Sequence, residues 1–396
     1  MPMALGDGVT MDDQRSPTPG PMTVAGNRLT LLPDGPDRLE ALVALIETAH
    51  QSLRVLYYIW LEDESGRRVR DALIAAAERG VDVALLVDGF GAAGTERFFQ
   101  PLVEAGCRFC RFVPRWGRRY LLRNHQKLTL ADERRAIVGG FNIGDEYFGT
   151  VEQGAWRDIG LEVEGPAAAP LGPYFEELFR WAREPMGSIR ALRRVLQKHS
   201  GSEGPLNWLF GGPTQRLSPW ARSVRNDMKG ATHLDMVSPY FTPSRGMMRR
   251  ILGVANRGRV RLVAAGKSDI RSTIMAARHS YWRLMRKGCE VYEYDSTKLH
   301  SKLIVIDDAV HVGSANFDLR SLYLNLEMML RIEDKEFAAA MRRFVEGEIA
   351  DSIRITPEMH KRQRTWWNRF KWGIAYFIIA TADYNLARRL NFGRKS

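Results

Sequence analysis

The chain has 396 residues, of which 45% are hydrophobic and 26% charged, a composition that excludes wholesale disorder and fits a folded protein of two or three domains. Lys and Arg outnumber Asp and Glu by 58 to 46, so the net charge of +12 predicts an anionic partner: nucleic acid, an acidic membrane or a phosphorylated substrate. Three cysteines exclude a disulfide scaffold, and no apolar stretch reaches the roughly 18 residues of a membrane-spanning helix. Without a secretory signal pattern, we expect a protein of the reducing cytoplasm.

Residues 1–27 are rich in Gly, Pro and Met and lack periodicity, which predicts a mobile tail. From about Leu31, amphipathic helical patterns alternate with continuous apolar runs of the kind found in strands buried on both faces. This alternation predicts an α/β sandwich. The first predicted elements are a helix at 37–53, a strand at 54–61, a helix at 67–80 closed by Gly80, and a strand at 81–89.

The same order of elements returns in the second part of the chain. Residues 220–241 and 245–266 match the first two helix–strand pairs, and 286–296 matches 104–114, so that Cys107 and Cys289 are equivalent. The period of 175 residues, from His125 to His300, indicates two copies of one domain. We therefore predict a first half at 28–184, a basic linker at 185–215, a second half at 216–355 and a basic, aromatic C-terminal segment at 356–396.

Each copy contains the pattern HxKxxxxD followed by G(G/S)xN, which core packing does not require. A single HxK is uninformative, but two copies at equivalent positions exclude coincidence. The alternative that remains is a duplicated core without activity. The residues concerned are His125, Lys127, Asp132 and Asn142 in the first copy, and His300, Lys302, Asp307, Ser314 and Asn316 in the second.

Both motifs span two predicted strands joined by a polar turn. His and Lys lie two residues apart at the start of the first strand, so they face one side. Asp132 is at an odd offset and falls in the turn, where we expect a capping role or a structural ion pair. Asn142 and Asn316 follow small residues, which let a ligand approach the backbone, and offer an amide beside His and Lys. Ser314 is a further donor.

One half supplies only half of a phosphate-binding pocket. Packing the copies about a pseudo-twofold axis would place two lysines and two asparagines around one point, which suits the charge of a phosphoryl group in transfer. Lysine is not a metal ligand, and no carboxylate cluster accompanies the histidines. The pattern therefore predicts one shared active site that uses no metal and no cofactor.

Two histidines suit covalent catalysis in two steps. One imidazole attacks phosphorus and becomes a phosphohistidine, while the other protonates the departing oxygen and then deprotonates the acceptor hydroxyl. Each ring needs a partner on its second nitrogen to fix the tautomer. Asp158 and Glu327 occupy equivalent places after the two motifs, each at the head of a buried strand, and we predict that they orient the histidines.

The paired motifs resemble those of the phospholipase D superfamily, and the chain is most similar to bacterial cardiolipin synthases of the B type. The resemblance runs from about Leu31 to Arg354 and implies two α/β/α sandwich halves with one active site. It also implies metal-free phosphatidyl transfer, with His125 as nucleophile, His300 as acid/base, and Asp132 and Asp307 in the catalytic motif. The blocks that carry it lie at 124–147, 156–167, 238–251 and 313–327.

Two features differ from that family's pattern. Many members carry N-terminal transmembrane helices, and no such stretch occurs in this sequence, so the resemblance implies peripheral attachment at the cytoplasmic side of the bacterial inner membrane. Arg134 and Arg135 lengthen the first hairpin turn by one residue, a change of small consequence.

Two basic, aromatic segments predict contact with an anionic membrane. Residues 111–123 contain five arginines and no acid, and residues 361–396 contain nine basic residues and one acid. Trp366, Trp367 and Trp372 lie among these charges, as in interfacial segments. The alternative is a C-terminal helix that docks on the core with its basic face in water.

The leading hypothesis is thus a phosphatidyltransferase that makes cardiolipin from phosphatidylglycerol, with phospholipid substrates and an anionic membrane as partners. The second is a phospholipase D-type phosphodiesterase or nuclease that uses the same two histidines, although the aromatic segments make nucleic acid the weaker fit. The third is a catalytically silent membrane-binding scaffold. The sequence leaves the acceptor hydroxyl open.

Overall fold

The structure, a computed structural model, describes residues 19–92, 96–113, 122–184, 187–201, 203–214 and 217–379. Helices and strands alternate as predicted, and two sheets of eight strands form, one per half. The first half contains β1 (Met22–Val24), β2 (Asn27–Leu32), α1 (Gly35–Glu47), β3 (Ser52–Tyr57), α2 (Glu64–Glu78), β4 (Asp82–Asp88), α3 (Glu96–Glu104), β5 (Arg108–Phe112), β6 (Leu128–Ala131), β7 (Arg135–Gly139), α4 (Asp145–Phe148), β8 (Gly160–Glu164) and α5 (Leu171–Arg183).

The remaining elements belong to the second half and the C-terminal segment. They are α6 (Ile189–His199), β9 (Leu206–Gly211), α7 (Pro219–Asp227), β10 (His233–Val237), α8 (Arg245–Ala255), β11 (Arg259–Ala265), α9 (Arg271–Met285), β12 (Glu290–Tyr294), β13 (Leu303–Ile306), β14 (Ala309–Gly313), α10 (Leu319–Tyr323), β15 (Glu327–Glu333), α11 (Lys335–Ala350), β16 (Ser352–Arg354), α12 (Pro357–Gln363) and α13 (Trp366–Phe377).

The two sheets share one strand order, with one added edge strand each. The first is β1-β2-β8-β7-β6-β3-β4-β5, and the second, in the same direction, is β9-β15-β14-β13-β10-β11-β12-β16. Strands β3, β4 and β5 are parallel, as are β10, β11 and β12, while the others pair antiparallel. This correspondence confirms the predicted fold class, two repeated α/β sandwich halves.

Each sheet is covered on both faces. Helices α1, α2 and α3 cover one face of the first sheet, and α7, α8 and α9 cover the equivalent face of the second. The other two faces share one apolar cluster that includes Val138 and Leu161 from the first half and Val310 and Leu330 from the second. Burial on both faces is the reason that these strands read as continuous apolar runs.

Local signals end helix α2 close to where the sequence predicted. Helix α2 begins after Asp63, whose side chain accepts a hydrogen bond from the Gly66 amide, and ends before Gly80, whose φ of +90° suits glycine. Helix α1 is shorter than the predicted 37–53, because Ser52 and Leu53 already belong to β3 and pair with β4.

The predicted tail over 1–27 ends earlier than expected. Residues 1–18 lie outside the described ranges, but β1 forms a hairpin with β2 and extends the first sheet. The turn between them consists of Ala25 and Gly26, both with positive φ, the geometry of a two-residue hairpin turn. Strand β1 is only three residues long, so it is too short to show a periodic pattern in the sequence.

The predicted linker over 185–215 is largely structured, which corrects that boundary. Leu192 and Leu196 of α6 are buried in the shared core, and β9 pairs with β15 at the edge of the second sheet. Strand β9 is the counterpart of β2, so the second half begins before residue 216. The basic face of α6 gives this segment the composition of a linker. The apolar face of the same helix packs it into the shared core.

The C-terminal segment docks on the second half through one face. Trp372 of α13 is buried and stacks on His360 of α12, and Tyr376 stacks on His279 of α9. Residues 380–396 and most of the basic stretch 111–123 (residues 114–121) lie outside the described ranges. None of the helices within those ranges combines the length and the hydropathy needed to cross a bilayer.

Candidate active site

Each histidine of the motif is held by a backbone contact with the opposite half. The amide of His125 donates to the Leu326 carbonyl at 2.9 Å, and the amide of His300 donates to the Arg157 carbonyl at 2.7 Å. The segments around these contacts form two parallel bridges, Asn124 with Leu326 and Arg157 with Leu299. The two bridges are related by the pseudo-twofold symmetry of the halves, so both motifs meet at the seam between the sheets.

The predicted orienting acids are exchanged between the halves. Glu327, from the second half, lies 3.0 Å from Nδ1 of His125, and Asp158, from the first, lies 2.5 Å from Nδ1 of His300. A carboxylate accepts, so Nδ1 of each ring donates and Nε2 is left with its lone pair. Sequence alone did not assign which acid serves which ring, since both follow a motif of their own half.

Glu327 is the more strongly hydrogen-bonded of the two acids. Its carboxylate accepts from Ser314 Oγ at 2.6 Å and from Ser321 Oγ at 2.8 Å, in addition to His125. Although burial alone would raise it, the interaction with His125, the charge of Lys127 and the Ser314 hydroxyl hold the pKa of Glu327 below its ordinary value. Ser314, which we predicted as a phosphate donor, thus lies in the support of the first histidine.

Asp158 is supported differently because the first half has a glycine in place of the serine. Its carboxylate accepts from the Ile159 amide at 2.7 Å. Gly140 is the counterpart of Ser314, and a Cβ there would lie 2.4 Å from Oδ1 of Asp158. Burial would raise the pKa of Asp158, but the charge of Lys302 and the hydrogen bond from His300 keep it below its ordinary value.

The two lysines are buried beside the rings. Nζ of Lys127 donates to the His125 carbonyl at 2.7 Å, and Nζ of Lys302 donates to the His300 carbonyl. Burial lowers the pKa of Lys302 to about 8 and that of Lys127 well below its usual value. Each lysine also acts electrostatically on the histidine of the other half. The two motifs therefore share one electrostatic site, in which both lysines are buried and interact with the carboxylates of Glu327 and Asp158.

Burial also favours the neutral form of both imidazoles. It lowers the pKa of His125 against the attraction of Glu327, and together with the charge of Lys302 it lowers the pKa of His300 to about 3. The side chain of His125 is 12% exposed and that of His300 is 6% exposed, so both reach the surface of the site.

The two asparagines differ in their contacts. Oδ1 of Asn142 accepts from the Ile59 amide at 3.1 Å, and a side-chain hydrogen bond links Asn142 to Tyr147. Asn316 is 5% exposed, and its Oδ1 is buried without a hydrogen-bond partner. The first asparagine is thus fixed by the fold, while the second keeps hydrogen-bonding capacity for a ligand.

The motif aspartates lie at the far ends of their strands from the histidines. Asp132 accepts from the backbone amides of Gln51 and Ser52 at 2.7 and 2.8 Å, and Asp307 accepts from the His233 amide at 2.9 Å. Both have positive φ, which Asp tolerates in a tight turn. Each therefore fastens a hairpin turn to the neighbouring strand, and neither is hydrogen-bonded to His125 or His300, which corrects their place in the catalytic set.

Other residues at the site were not singled out from the sequence. Tyr58 meets His125 edge-on at 5.1 Å between ring centroids, and Trp156 meets His300 in the same way at 5.0 Å. Asp88 accepts the amide of Asn124 at 2.8 Å, and Ser321 binds Glu327. Asp88 was accessible to sequence reasoning, because it ends a buried parallel strand at the edge where sites form.

The described residues contain no group of three or more His, Cys, Asp or Glu side chains able to hold a metal ion. The three cysteines are free thiols, with Cys107 and Cys289 buried. The side chains available at the site are thus two imidazoles, two carboxylates, two ammonium groups and an amide, a set suited to proton transfer and to binding an anion.

Comparison with known proteins places this architecture in a family. A family model described as cardiolipin synthase, PLD-like domain, matches residues 42–178 and 225–348. Cardiolipin synthase A of Pseudomonas aeruginosa (strain LESB58) is 32% identical over 352 residues, which cover 86% of this chain and 71% of that protein. Cardiolipin synthase B of Escherichia coli (strain K12) is 30% identical over 373 residues, 89% of this chain and 88% of that protein.

Solved structures agree on the fold. Phosphatidylserine synthase of Haemophilus influenzae Rd KW20 matches with a TM-score of 0.72 and 14% identity over 91% of this chain and 95% of that chain. Polyphosphate kinase of Porphyromonas gingivalis matches with a TM-score of 0.56 and 15% identity, over 93% of this chain and 58% of that one. The fold and the two family matches confirm the resemblance, and the chain belongs to the cardiolipin synthase family of phospholipase D-like proteins.

Proposed function

We propose that this protein is a phosphatidyltransferase that forms cardiolipin from phosphatidylglycerol. The observation that carries the proposal is the pair of imidazoles, each with Nδ1 bound to a carboxylate of the opposite half, beside two buried lysines. Burial lowers the pKa of both lysines, and the negative charge of a bound phosphodiester beside them would favour their charged form. Membership of the cardiolipin synthase family supports a phospholipid as the donor.

In the first step, Nε2 of His125 attacks the phosphorus of phosphatidylglycerol. The new P–N bond replaces the P–O bond to the glycerol head group, and His300 gives its proton to the departing oxygen. Glu327 balances the positive charge that forms on His125, and the Ser314 and Ser321 hydroxyls hold that carboxylate in place. Lys127 and Lys302 stabilise the charge on the phosphoryl oxygens.

In the second step, His300 takes the proton of an acceptor hydroxyl, and the resulting oxygen attacks the phosphohistidine. The P–N bond breaks, His125 is regenerated, and a second phosphatidylglycerol becomes cardiolipin. The greater exposure of the His125 side chain and the three hydrogen bonds to its partner acid support its role as nucleophile. The acceptor is a phosphatidylglycerol hydroxyl or that of another phospholipid head group.

Covalent trapping tests these roles. With a phosphatidyl ester of p-nitrophenol, the leaving group needs no proton, so His300→Ala should still form the phosphatidyl-enzyme and should then release it slowly. Intact-protein mass spectrometry should show this adduct in His300→Ala and none in His125→Ala, and both variants should lose cardiolipin synthesis from phosphatidylglycerol.

An adduct in His125→Ala only would exchange the two roles. The absence of an adduct in both variants, with a well-folded protein by circular dichroism, would overturn the covalent mechanism. Cleavage of plasmid DNA without metal by the wild type, lost in both variants, would favour a nuclease instead.

We also propose that the protein acts peripherally at the cytoplasmic face of the bacterial inner membrane. Trp366, Trp367 and Phe370 of α13 are 69%, 54% and 55% exposed beside arginines and lysines, an arrangement found at membrane interfaces. One face of α13 docks on the core through Trp372 while this aromatic face remains outside, and that exposed face supports the proposed membrane contact.

A further inference from the structure

We propose that the groove between α9 and α13 binds the head group of an anionic phospholipid from the bilayer, at a site separate from the histidines. The groove has a volume of about 690 Å³ and is open to solvent on one side. The inference rests on the membrane contact proposed above, but it does not depend on the chemistry of the imidazoles. The lining residues that matter are Arg245, His279, Arg283, Arg364, Arg369 and Phe370.

Four guanidinium groups face this groove from three helical regions. Arg245 belongs to α8, Arg283 to α9, and Arg364 and Arg369 to the C-terminal segment. None of the described residues that line the groove is acidic. Burial and the charge of Arg369 lower the pKa of Arg364, the effect expected where like charges lie close together. The fold thus assembles a positive cluster that an anion would complete.

Guanidinium groups in this arrangement suit a phosphodiester. Arginine binds phosphate oxygens through paired N–H donors, and the planar group also stacks on aromatic rings. The Arg364 guanidinium lies 5.2 Å from the ring centre of Trp282, which fixes its plane at the wall of the groove. Recognition of phosphate by several arginines is stronger than that by a single lysine because the donors are pre-oriented.

The walls beside the arginines are apolar and aromatic. Trp366 and Phe370 of α13 line the groove and are more than half exposed, whereas Trp372 and Met248 form its buried part. A free phosphate would leave these surfaces in water, while the glycerol backbone and the first acyl carbons of a lipid would cover them. The combination of charge and apolar wall therefore matches a lipid head group at the interface.

The orientation of α13 supports a bilayer as the source of that lipid. Phe377 and Ile378 are 59% and 53% exposed at its C-terminal end, so large apolar side chains continue along the helix beyond the groove. The terminal residues 380–396 contain four basic residues and one acid, so their composition adds to the positive charge of the chain. A membrane with anionic lipid satisfies both the apolar and the positive surface.

The groove also adjoins a loop that leads back to the active site. Tyr376 of α13 donates to the Pro243 carbonyl at 3.3 Å, and Pro243 lines the groove. Three residues earlier, Tyr240 interacts electrostatically with Asp318 and Tyr147, the latter in edge-on contact with His300. A lipid in the groove would therefore anchor the molecule close to the loop that borders the catalytic residues.

Charge reversal in the groove tests the proposal. Arg364→Glu with Arg369→Glu should weaken binding to phosphatidylcholine vesicles containing 30% phosphatidylglycerol at least tenfold in a flotation assay. Binding to pure phosphatidylcholine, which is weak for the wild type, should not change. Arg283→Glu reaches the same groove from α9 and should give a loss of the same kind.

The matched control is Arg190→Glu with Arg194→Glu, two exposed arginines on α6. It changes the net charge equally and should alter vesicle binding less than twofold. If the groove and control variants lose vesicle binding equally, the effect comes from net charge alone, and the proposed lipid site is wrong. Inhibition of vesicle binding by millimolar inorganic phosphate would indicate an ion site instead of a lipid site.

Activity separates this inference from the proposed function. The groove variants should retain full turnover on short-chain phosphatidylglycerol below its micelle concentration, and should lose turnover only on vesicles. If neither the wild type nor any variant forms cardiolipin, the proposed function is wrong. The vesicle-binding result still tests whether the groove binds anionic lipid. Unchanged vesicle binding in both groove variants contradicts the inference.

Discussion

At the residue scale, burial controls the charge of the groups at the candidate active site. Lys127 and Lys302 are buried and donate to backbone carbonyls, and both imidazoles are neutral because burial lowers their pKa values. The proposed reaction needs His300 protonated when the leaving oxygen departs. The negative charge of the bound phosphodiester, close to the ring, is what raises its pKa again.

The first prediction follows from this protonation state. At pH 7 a His300 ring with a pKa of about 3 carries no second proton, whereas the ring must carry one when the leaving oxygen departs. Binding of a non-reactive phosphodiester analogue should therefore take up close to one proton. Calorimetry in buffers of different ionisation enthalpy measures this number, and His300→Ala provides the control. An uptake of zero in the wild type would contradict His300 as the general acid.

The second prediction uses the exchange of Ser314 for Gly140 between the halves. Ser314→Gly removes one hydrogen bond to Glu327 and should lower kcat about tenfold, or about 1.4 kcal/mol, with little change in Tm. Gly140→Ser is the reciprocal change, and its Cβ would contact Oδ1 of Asp158, so it should lower Tm and activity together. Equal effects of both substitutions on Tm would argue against this asymmetry.

At the element scale, the hairpins β6–β7 and β13–β14 deliver the histidines to the seam. Each hairpin is fastened by its motif aspartate to the strand beside it, β3 or β10. The odd spacing within HxKxxxxD has this origin, because the aspartate must reach the turn at the far end of a four-residue strand. The aspartate thus contributes to the stability of the element that carries the histidine.

The third prediction separates this role from catalysis. Asp132→Asn weakens the hydrogen bonds to three backbone amides and should lower the free energy of unfolding by about 1–3 kcal/mol. The kcat of the folded fraction should stay within about threefold of wild type, because Asp132 is not hydrogen-bonded to His125 or His300. Chemical denaturation and steady-state assays check both values. Asp308→Asn, at an exposed position in the second turn, is the control. If Asp132→Asn loses kcat while its free energy of unfolding is unchanged, Asp132 has a catalytic role.

At the scale of the whole molecule, neither half is complete. Each histidine takes its backbone partner and its orienting acid from the other half, and one apolar cluster runs through both. Asp158 of the first half therefore binds His300 of the second, and Glu327 of the second half binds His125 of the first. This exchange is what makes one site from two copies.

The fourth prediction tests the exchange. Glu327→Gln should slow formation of the covalent adduct on His125 with the p-nitrophenol ester by about 10²–10⁴-fold, as expected when a histidine loses its carboxylate partner. Asp158→Asn should leave that step near the wild-type rate, because the activated leaving group needs no acid, and should slow release of the adduct. Rapid-quench mass spectrometry resolves the two steps, and the opposite pattern would show that the acids serve the rings of their own halves.

Much of the fold was accessible from sequence because it depends on short-range signals. Buried strands such as β4 read as apolar runs, α2 carries its own N-cap and a stop at Gly80, and the 175-residue period revealed the duplication. The histidines, the lysines and the candidate orienting acids followed from the alignment of the two copies. The aspartates of the turns followed from strand parity.

The errors came from elements whose place depends on distant partners. Strand β9 resembles a linker in composition, yet it pairs with β15, about 120 residues later in the chain. Short β1 has no periodic pattern and is stabilised by its pairing with β2. Ser314 was predicted to bind phosphate, whereas the structure directs its hydroxyl to Glu327. No local pattern contains these pairings.

The sequence by itself determined that two equivalent histidine–lysine motifs exist and that each begins a strand, because both facts depend on residue type and on spacing within one element. Only the tertiary structure decided that Glu327 serves His125 and Asp158 serves His300, and that α13 faces the core with Trp372 and solvent with Trp367. These outcomes depend on how two sheets and a terminal helix pack, and packing is fixed by contacts between residues far apart in the chain.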